Sequence, residues 1–503
     1  MEALELLWGG LAEAFTPTNL LYAALGVVVG TFIGVLPGIG PAMAVALLLP
    51  LTYGLGPVEA LIVFAGIYYG AMYGGSTTSI LLNTPGESSS VMTAIEGNKM
   101  AKAGRAAQAL ATAAIGSFIA GTIGTLLIVL CAPALAEQAV KIGAPSYFAI
   151  MLFSLVLVTS VLGSSKLRGF IALAIGLTIG LVGLDLSTGQ ARLIFGQLQL
   201  ADGIDIVVVA VGVFALGEAL WVAAHLRRTP LQIIPVGQPF LGREDWKRSW
   251  GPWLRGTALG FPFGAVPAGG AETPTFLSYL LERRLSRRRD EFGKGAIEGV
   301  AGPEAANNAA AAGTFVPLLA LGLPVTATAS IILAAMQSYG IQPGPELLGD
   351  QGDLVWTLLA SLLIGNALLL IINLPLAPVW ARLLRIPRPQ LYAGILFFAA
   401  LGAYAVNQQG FDLLLLILFG LVGFAIRRFG LPVLPLILGV ILGPLLETKM
   451  REALDLSDGA VSGLFDEALA LVVYALIVVV LVAPFATRMV RSRRSRTDQE
   501  VAR

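Results

Sequence analysis

The sequence predicts an all-α polytopic membrane protein. Hydrophobic residues fill 56% of the 503 positions, whereas charged residues fill only 13%, against ~25% in typical soluble domains. The mean hydropathy is +0.82. A soluble chain of this length could not cover its surface with so few charges, so we expect about 12 transmembrane helices.

The charged and reactive residues exclude several classes of protein. Lys and Arg total 32 against 31 Asp and Glu, and this net charge of +1 points to no nucleic-acid partner. The single cysteine, Cys131, excludes an intramolecular disulfide, and the single histidine, His225, excludes a multi-histidine metal centre. The chain has no GxxxxGK[ST] phosphate loop, no serine–histidine motif and no paired intramembrane aspartate motif. We therefore expect neither an enzyme nor an ATP-driven engine in this chain.

Glycine and proline predict helices that break inside the membrane. The chain contains 59 Gly and 28 Pro, and many of the prolines sit in apolar runs, where broken backbone is tolerated only if it lines a cavity or is buried in protein. We divide the chain into a first repeat at 1–226, which begins with an interfacial segment, a polar cytoplasmic linker at 227–250, a second repeat at 251–487 and a basic cytoplasmic tail at 488–503.

Two short motifs occur twice, in the same order. GVLPGIG at residues 34–40 recurs as GAVPAGG at 264–270, 230 residues later, and ILLNTP at 80–85 recurs as LALGLP at 319–324, 239 residues later. The two matches predict an internal repeat whose second copy is nine residues longer. The alternative is chance similarity within a glycine-rich apolar chain.

The loop charges indicate that the two repeats are inverted. The first glycine motif leads to residues 52–59, which contain no basic residue, but its second copy leads to ERRLSRRR at 282–289. The proline motif shows the reverse, since residues 99–105 are basic and residues 343–350 are not. Basic loops stay in the cytoplasm, so equivalent elements exit on opposite sides, as in many secondary transporters.

The glycine motifs predict tight re-entrant hairpin tips, because small residues let backbones approach closely. Simple packing of helices through glycine is the alternative. The predicted tip residues are Gly34, Pro37, Gly38, Gly40, Gly264, Pro267, Gly269 and Gly270.

The proline motifs predict broken-helix turns that bind an anionic substrate. Each proline ends one helix, and hydroxyl residues then cap a new helix whose free N–H groups favour an anion. Unwound carbonyls before the break would suit a cation such as Na⁺. The alternative is an ordinary loop at the membrane surface. The predicted substrate-binding residues are Asn83, Thr84, Pro85, Gly86, Ser88, Ser89, Asn307, Asn308, Pro324 and Thr326.

Several other polar residues lie in apolar surroundings. Glu304 and the asparagine pair Asn307 and Asn308 begin an alanine-rich run. Burying these polar groups among apolar residues costs free energy unless they bind a partner, so they are candidate functional residues. The alternative is a helix cap at the membrane surface. Tyr68, Tyr69 and Tyr73 fit interfacial anchors and ligands equally well.

Three stretches resemble a known family. They are GVLPGIGPAMAVALLLPLTYGL, YYGAMYGGSTTSILLNTPGESSSVMTAIEG and EGVAGPEAANNAAAAGTFVPLLALGLP. They are similar to the large membrane subunit of the tripartite tricarboxylate transporter family (TctA-type). The resemblance covers most of the chain and is most specific between Gly30 and Pro345.

The resemblance implies import of tricarboxylates or dicarboxylates across the bacterial inner membrane. The driving force would be a Na⁺ or H⁺ gradient, with no cofactor besides this coupling ion. The implied partners are a small membrane subunit (TctB-type), a periplasmic solute-binding protein (TctC-type) and the lipid bilayer. An ion or small-solute channel is the alternative, because broken helices and glycine tips also build filters. A channel would conduct without a binding protein.

Inverted topology makes a labelling prediction. Cysteines introduced near Lys102 and Arg287 should both react only from the cytoplasmic side, because both loops are basic. Cysteines near Gly56 and Gly349 should both react only from the periplasmic side. The prediction is wrong if the two members of either pair are labelled from opposite sides.

Overall fold

Helices account for nearly all of the regular structure. The computed structural model describes residues 2–161, 165–185, 188–225, 234–237, 239–266 and 270–482. In these ranges eight helices are long and apolar enough to cross a membrane, and four more apolar helices are shorter. The one sheet among them is a two-residue antiparallel ladder of β1 (Gly183–Leu184) and β2 (Ala191–Arg192). The predicted all-α polytopic class is confirmed.

The helices follow one another with short connections. In chain order they are α1 (Glu2–Ala14), α2 (Pro17–Gly34), α3 (Pro41–Leu48), α4 (Pro57–Leu82), α5 (Val91–Met100), α6 (Ala106–Ala139), α7 (Ala144–Val161), α8 (Lys166–Gly180), α9 (Ile206–Ala210), α10 (Gly217–Ala224), α11 (Arg243–Ala265), α12 (Glu272–Leu285), α13 (Glu298–Gly313), α14 (Phe315–Leu321), α15 (Ala327–Ser338), α16 (Leu347–Asp350), α17 (Gly352–Leu383), α18 (Arg388–Asn407), α19 (Gly410–Phe429), α20 (Val433–Asp455) and α21 (Ala468–Val482). Two π-helical segments, Ala101–Arg105 and Val211–Leu216, join α5 to α6 and α9 to α10.

The chain divides into two compact units. One contains Met1–Val140 and Ile204–Arg428, and the other contains Lys141–Gly203 and Phe429–Arg503. Each unit takes residues from both predicted repeats, so the units do not correspond to the repeats. The predicted boundaries at 226 and 251 stay a prediction, and the tail at 488–503 lies outside the described residues.

Local sequence explains where the first helices begin. The helices α2, α3 and α4 start at Pro17, Pro41 and Pro57. Proline suits the first helical position because its missing N–H would have no partner there and its φ angle is already helical. The Thr16 side chain also accepts a hydrogen bond from the Asn19 N–H, which caps α2. The breaks that punctuate this region therefore follow from residue type.

The helices α2 and α4 touch through their backbones. A Cβ atom added at Gly30 would lie 2.5 Å from the Ile67 carbonyl oxygen, and one added at Gly34 would lie 2.3 Å from that of Ala71. Any side chain at these two positions would overlap α4. Glycine therefore sets the separation of this helix pair.

The same contact recurs between α11 and α13. A Cβ at Gly260 would lie 2.2 Å from the Ala306 carbonyl oxygen, and one at Gly264 would lie 2.0 Å from that of Ala310. The glycines follow their counterparts by 230 residues and the residues they touch follow theirs by 239, the same offsets as in the sequence motifs. Gly34 ends α2, and Gly264 lies in the last turn of α11. Both therefore pack helices together, which was the alternative interpretation for these two residues.

A buried carboxylate holds the loop that precedes α13. Glu96, on α5, has no exposed surface. It accepts a hydrogen bond from the Tyr279 hydroxyl at 2.7 Å and from the backbone N–H groups of Gly293, Gly295 and Ala296. Four donors on one carboxylate compensate its burial. This clasp joins α5 to the loop between α12 and α13.

The second unit uses the same packing device. A Cβ at Gly176 on α8 would lie 2.0 Å from the Leu436 carbonyl oxygen on α20. Arg192 on β2 donates two hydrogen bonds of 2.9 Å to Glu447 on α20. Backbone contact and this ion pair hold β2 and α8 to the same helix.

The close contact at Gly260 predicts a large effect from a small change. Gly260→Ala should lower the thermal stability of the purified protein, because overpacking of this kind costs about 1–3 kcal/mol. Gly394→Ala on α18 is the matched control, since a Cβ there would meet no atom within 4 Å. The control should be neutral or stabilising, because alanine is the better helix former. Equal unfolding temperatures for the two variants would contradict the packing argument.

Candidate functional site

The first proline motif breaks the chain where predicted. The helix α4 ends at Leu82, and Asn83 adopts the left-handed conformation with φ 53°. Asparagine is one of the few non-glycine residues that tolerate this region. Pro85 and Gly86 follow, and then a short 3₁₀ turn, Ser88–Ser90, leads into α5.

The second proline motif has the same geometry. The helix α14 ends at Leu321, and Gly322 is left-handed with φ 61°. Pro324 follows two residues later, as Pro85 follows Asn83. Thr326 then caps α15 by accepting a hydrogen bond from the Ala329 N–H at 3.2 Å. Both motifs therefore form a left-handed helix end, a proline and a new helix.

The first glycine tip lies against the first broken turn. Gly38 has φ 85° in the link between α2 and α3, a conformation that glycine adopts without strain. A Cβ at Gly40 would lie 3.3 Å from the Gly86 carbonyl oxygen. Pro37 lies in the same link. Two elements that were predicted separately are therefore neighbours.

The second tip is described only in part. Gly270 has φ 51°, just before α12 begins. Pro267 and Gly269 lie outside the described residues.

Polar groups from both turns converge near α13. The Asn307 amide on α13 donates to Glu87 in the first turn at 3.4 Å. The Tyr68 hydroxyl on α4 lies near Thr314 and Thr326 and interacts with Glu87. We call Glu87, Asn307, Tyr68 and Thr326 the polar cluster. It brings together residues from the first turn, the second turn and the helix between them.

A buried side-chain oxygen at this place has no hydrogen-bond partner among the described residues. The Oδ1 of Asn307 makes no hydrogen bond within the described part of the chain, and this residue is 1% exposed. Such groups cost free energy when they are left unsatisfied. The Asn307 Oδ1 is therefore suited to contact a ligand.

Other predicted residues have different surroundings. Asn83 and Ser88 are exposed, and the Thr84 hydroxyl donates to the Leu82 carbonyl at 3.3 Å. The Asn308 amide donates to Ser117 at 2.8 Å and so faces away from the polar cluster. Pro324 is buried in the second turn.

Two members of the polar cluster were not predicted as ligands. Glu87 belongs to the first proline motif, but its acidic charge gave no reason to place it beside an anion. The sequence fits Tyr68 equally well as an interfacial anchor and as a ligand. The structure buries Tyr68, Tyr69 and Tyr73 to 4%, 1% and 1% exposure. Tyrosines buried in the protein interior cannot anchor the chain at the membrane interface. Their position in α4, a helix rich in glycine and serine, is the sequence feature that could have predicted this burial.

Comparison with known proteins decides the family. The model of the tripartite tricarboxylate transporter TctA family matches residues 20–438. The chain belongs to this family.

Two relatives from Agrobacterium vitis are similar to this TctA-family chain. One, described as an uncharacterized 52.8 kDa protein in the TAR-I ttuC' 3' region, is 47% identical over 91% of this chain and 91% of its own length. The other, an uncharacterized protein in the TAR-II ttuC' 3' region, is 46% identical over 39% of this chain and 81% of its own length. No solved structure matches the chain.

Proposed function

We propose that this TctA-family chain is the membrane subunit through which carboxylates are imported by a binding-protein-dependent secondary transporter. A periplasmic solute-binding protein would deliver the substrate, and a small membrane subunit would complete the complex in the bacterial inner membrane. A Na⁺ or H⁺ gradient would drive uptake, and the C-terminus would lie in the cytoplasm. Family membership supports this role, as does the absence of a nucleotide-binding loop from the sequence.

The convergence of the two broken turns on the polar cluster is the observation that carries the proposal. The turns place helix starts, whose free N–H groups attract anions, next to hydroxyl and amide side chains. Discontinuous helices of this kind form the substrate sites of many secondary transporters. We therefore place the carboxylate between residues 83–90 and 322–328.

Charge balance supports coupling to a cation. Neither turn contains Arg or Lys, and Glu87 adds a negative charge. A bound carboxylate would be repelled unless a cation entered with it. Symport with the coupling ion satisfies this requirement without a fixed positive residue.

Uptake in proteoliposomes tests the energetics. Vesicles containing both membrane subunits, supplied with binding protein, should accumulate a labelled carboxylate only while a Na⁺ or H⁺ gradient is imposed. ATP should not replace the gradient, because the chain has no nucleotide loop. Uptake that persists after both gradients are dissipated would contradict secondary transport. Conduction without binding protein would instead favour a channel.

Substitutions at the turns test the site. Thr326→Leu and Ser88→Leu should abolish uptake by filling the space between the turns, while insertion and assembly stay normal. Thr326→Ala should weaken apparent affinity by about 0.5–1.5 kcal/mol, the net value of one neutral hydrogen bond. Thr178→Leu, at an exposed position on α8, controls for the added bulk. Near-normal uptake by both leucine variants at the turns would place the substrate elsewhere.

A further inference from the structure

Glu304 is a carboxylate inside the helical scaffold. Its side chain has no exposed surface, and every residue of α13, the helix that carries it, is buried. A charged group in such a place is rare and costly unless it is compensated, and ionisable residues within membrane spans commonly mark ion pathways.

Among the described residues, the groups that hydrogen-bond to the Glu304 carboxylate are all neutral. The hydroxyls of Ser76 and Ser117 lie 2.5 and 3.3 Å from Oε1. The Thr93 hydroxyl lies 2.9 Å from Oε2, and the Asn308 Nδ2 lies 3.3 Å from Oε1. These side chains come from α4, α5, α6 and α13, so the carboxylate is the point where four helices meet.

The charged groups around α13 do not neutralise Glu304. Tyr73 on α4 and Glu87 in the first turn interact with it electrostatically, and neither can carry a positive charge. The helices α6 and α14 contain neither Lys nor Arg. Charged and titratable groups on α5, α11 and α12 have other partners: Arg255 pairs with Glu282, Arg248 with Glu291 and Glu298, and Asp245 with Arg105, while Lys99 donates to the Gly293 carbonyl, Tyr279 donates to Glu96, and Glu272 interacts with Glu87. Within the described ranges, no Lys or Arg forms an ion pair with Glu304.

The surroundings can satisfy Glu304 in both protonation states. When the carboxylate is charged, the Ser76 hydroxyl donates to it. The same hydroxyl lies 3.3 Å from the Met72 carbonyl oxygen. When Glu304 carries a proton, it can donate to Ser76 Oγ while Ser76 donates to Met72. Neither state leaves a buried donor or acceptor without a partner.

We propose that Glu304 binds the proton that drives uptake, an inference that rests on the proposed function of the chain as a secondary transporter. A proton from water on the periplasmic side joins the carboxylate and gives a neutral carboxylic acid. The acid later releases H⁺ to the cytoplasmic side and becomes a carboxylate again. The oxygen–oxygen distances of 2.5 and 2.9 Å are those of direct hydrogen bonds, which suit a proton rather than a larger cation between these atoms.

The helix α13 connects the proton to the polar cluster. Glu304 lies one helical turn before Asn307 and Asn308. Asn308 contacts Glu304, while its neighbour Asn307 contacts Glu87. Protonation of Glu304 also removes a negative charge that acts on Glu87. Substrate binding beside Asn307 is therefore linked to the protonation of Glu304 in two ways. One is the charge interaction between Glu304 and Glu87, and the other is the neighbouring residues Asn307 and Asn308 on α13.

Infrared difference spectroscopy of the purified protein tests proton binding directly. Between acidic and alkaline buffers, the wild-type protein should lose the carbonyl band of a protonated carboxylic acid. Glu304→Gln should show a weaker band, because it lacks the contribution of Glu304 while the other carboxylates still contribute. Glu13→Gln is the matched control, since Glu13 also accepts a hydroxyl hydrogen bond, from Thr357 at 2.9 Å, but is exposed, and it should keep the band.

Transport by the same variants tests coupling. In proteoliposomes with binding protein, a gradient of one pH unit should support up to ~10-fold accumulation for each proton carried. Glu304→Gln should lose this accumulation but continue substrate exchange, because glutamine resembles the protonated acid. Ser76→Ala provides a second variant if Glu304→Gln does not fold. It removes a donor to the charged form, so the acid band should persist into more alkaline buffer.

Two results would overturn the proposal. One is an acid band that is as strong in Glu304→Gln as in the wild-type protein, or that does not move in Ser76→Ala. The other is wild-type accumulation driven by a Na⁺ gradient alone, with equal pH on both sides. If wild-type protein transports no carboxylate under any gradient, the proposed function fails, while the infrared result still decides whether Glu304 binds a proton.

Discussion

Backbone contact between helices, at positions where no side chain fits, is the constraint on which the first unit depends. The carbonyl oxygens of Ala71 on α4 and Ala310 on α13 lie where the Cβ atoms of Gly34 and Gly264 would be. The helix α4 ends at the first broken turn, and α13 carries Asn307 toward it. A wider separation of either helix pair would carry these polar groups apart. The close helix contacts at Gly34 and Gly264 therefore help to fix the positions of the residues in the polar cluster.

The sequence predicted the fold class and the breaks because both depend on local residue type. Few charges among many apolar residues indicate a membrane protein. A left-handed residue such as Asn83 or Gly322, followed closely by a proline, ends a helix whatever its tertiary surroundings. The role of Gly34 and Gly264 was harder to predict. Glycine suits a tight turn and a close helix contact for the same reason, the missing Cβ, so sequence alone could not separate the two.

The candidate site was predicted in outline but not in its partners. Glu87 and Asn307 are 220 residues apart in the chain, and only the fold shows that they meet. Asn307 and Asn308 look equivalent in sequence. Adjacent residues on a helix point about 100° apart, so one faces the polar cluster and the other faces Glu304. This chain thus combines a predictable scaffold with contacts that depend on helix rotation.

The clasp at Glu96 has a consequence for how the chain is made. Gly293, one of its backbone donors, is synthesised 197 residues after Glu96. Until then the Glu96 carboxylate lacks the three backbone donors that compensate its burial. These hydrogen bonds can therefore form only after synthesis has reached Ala296, well into the second predicted repeat.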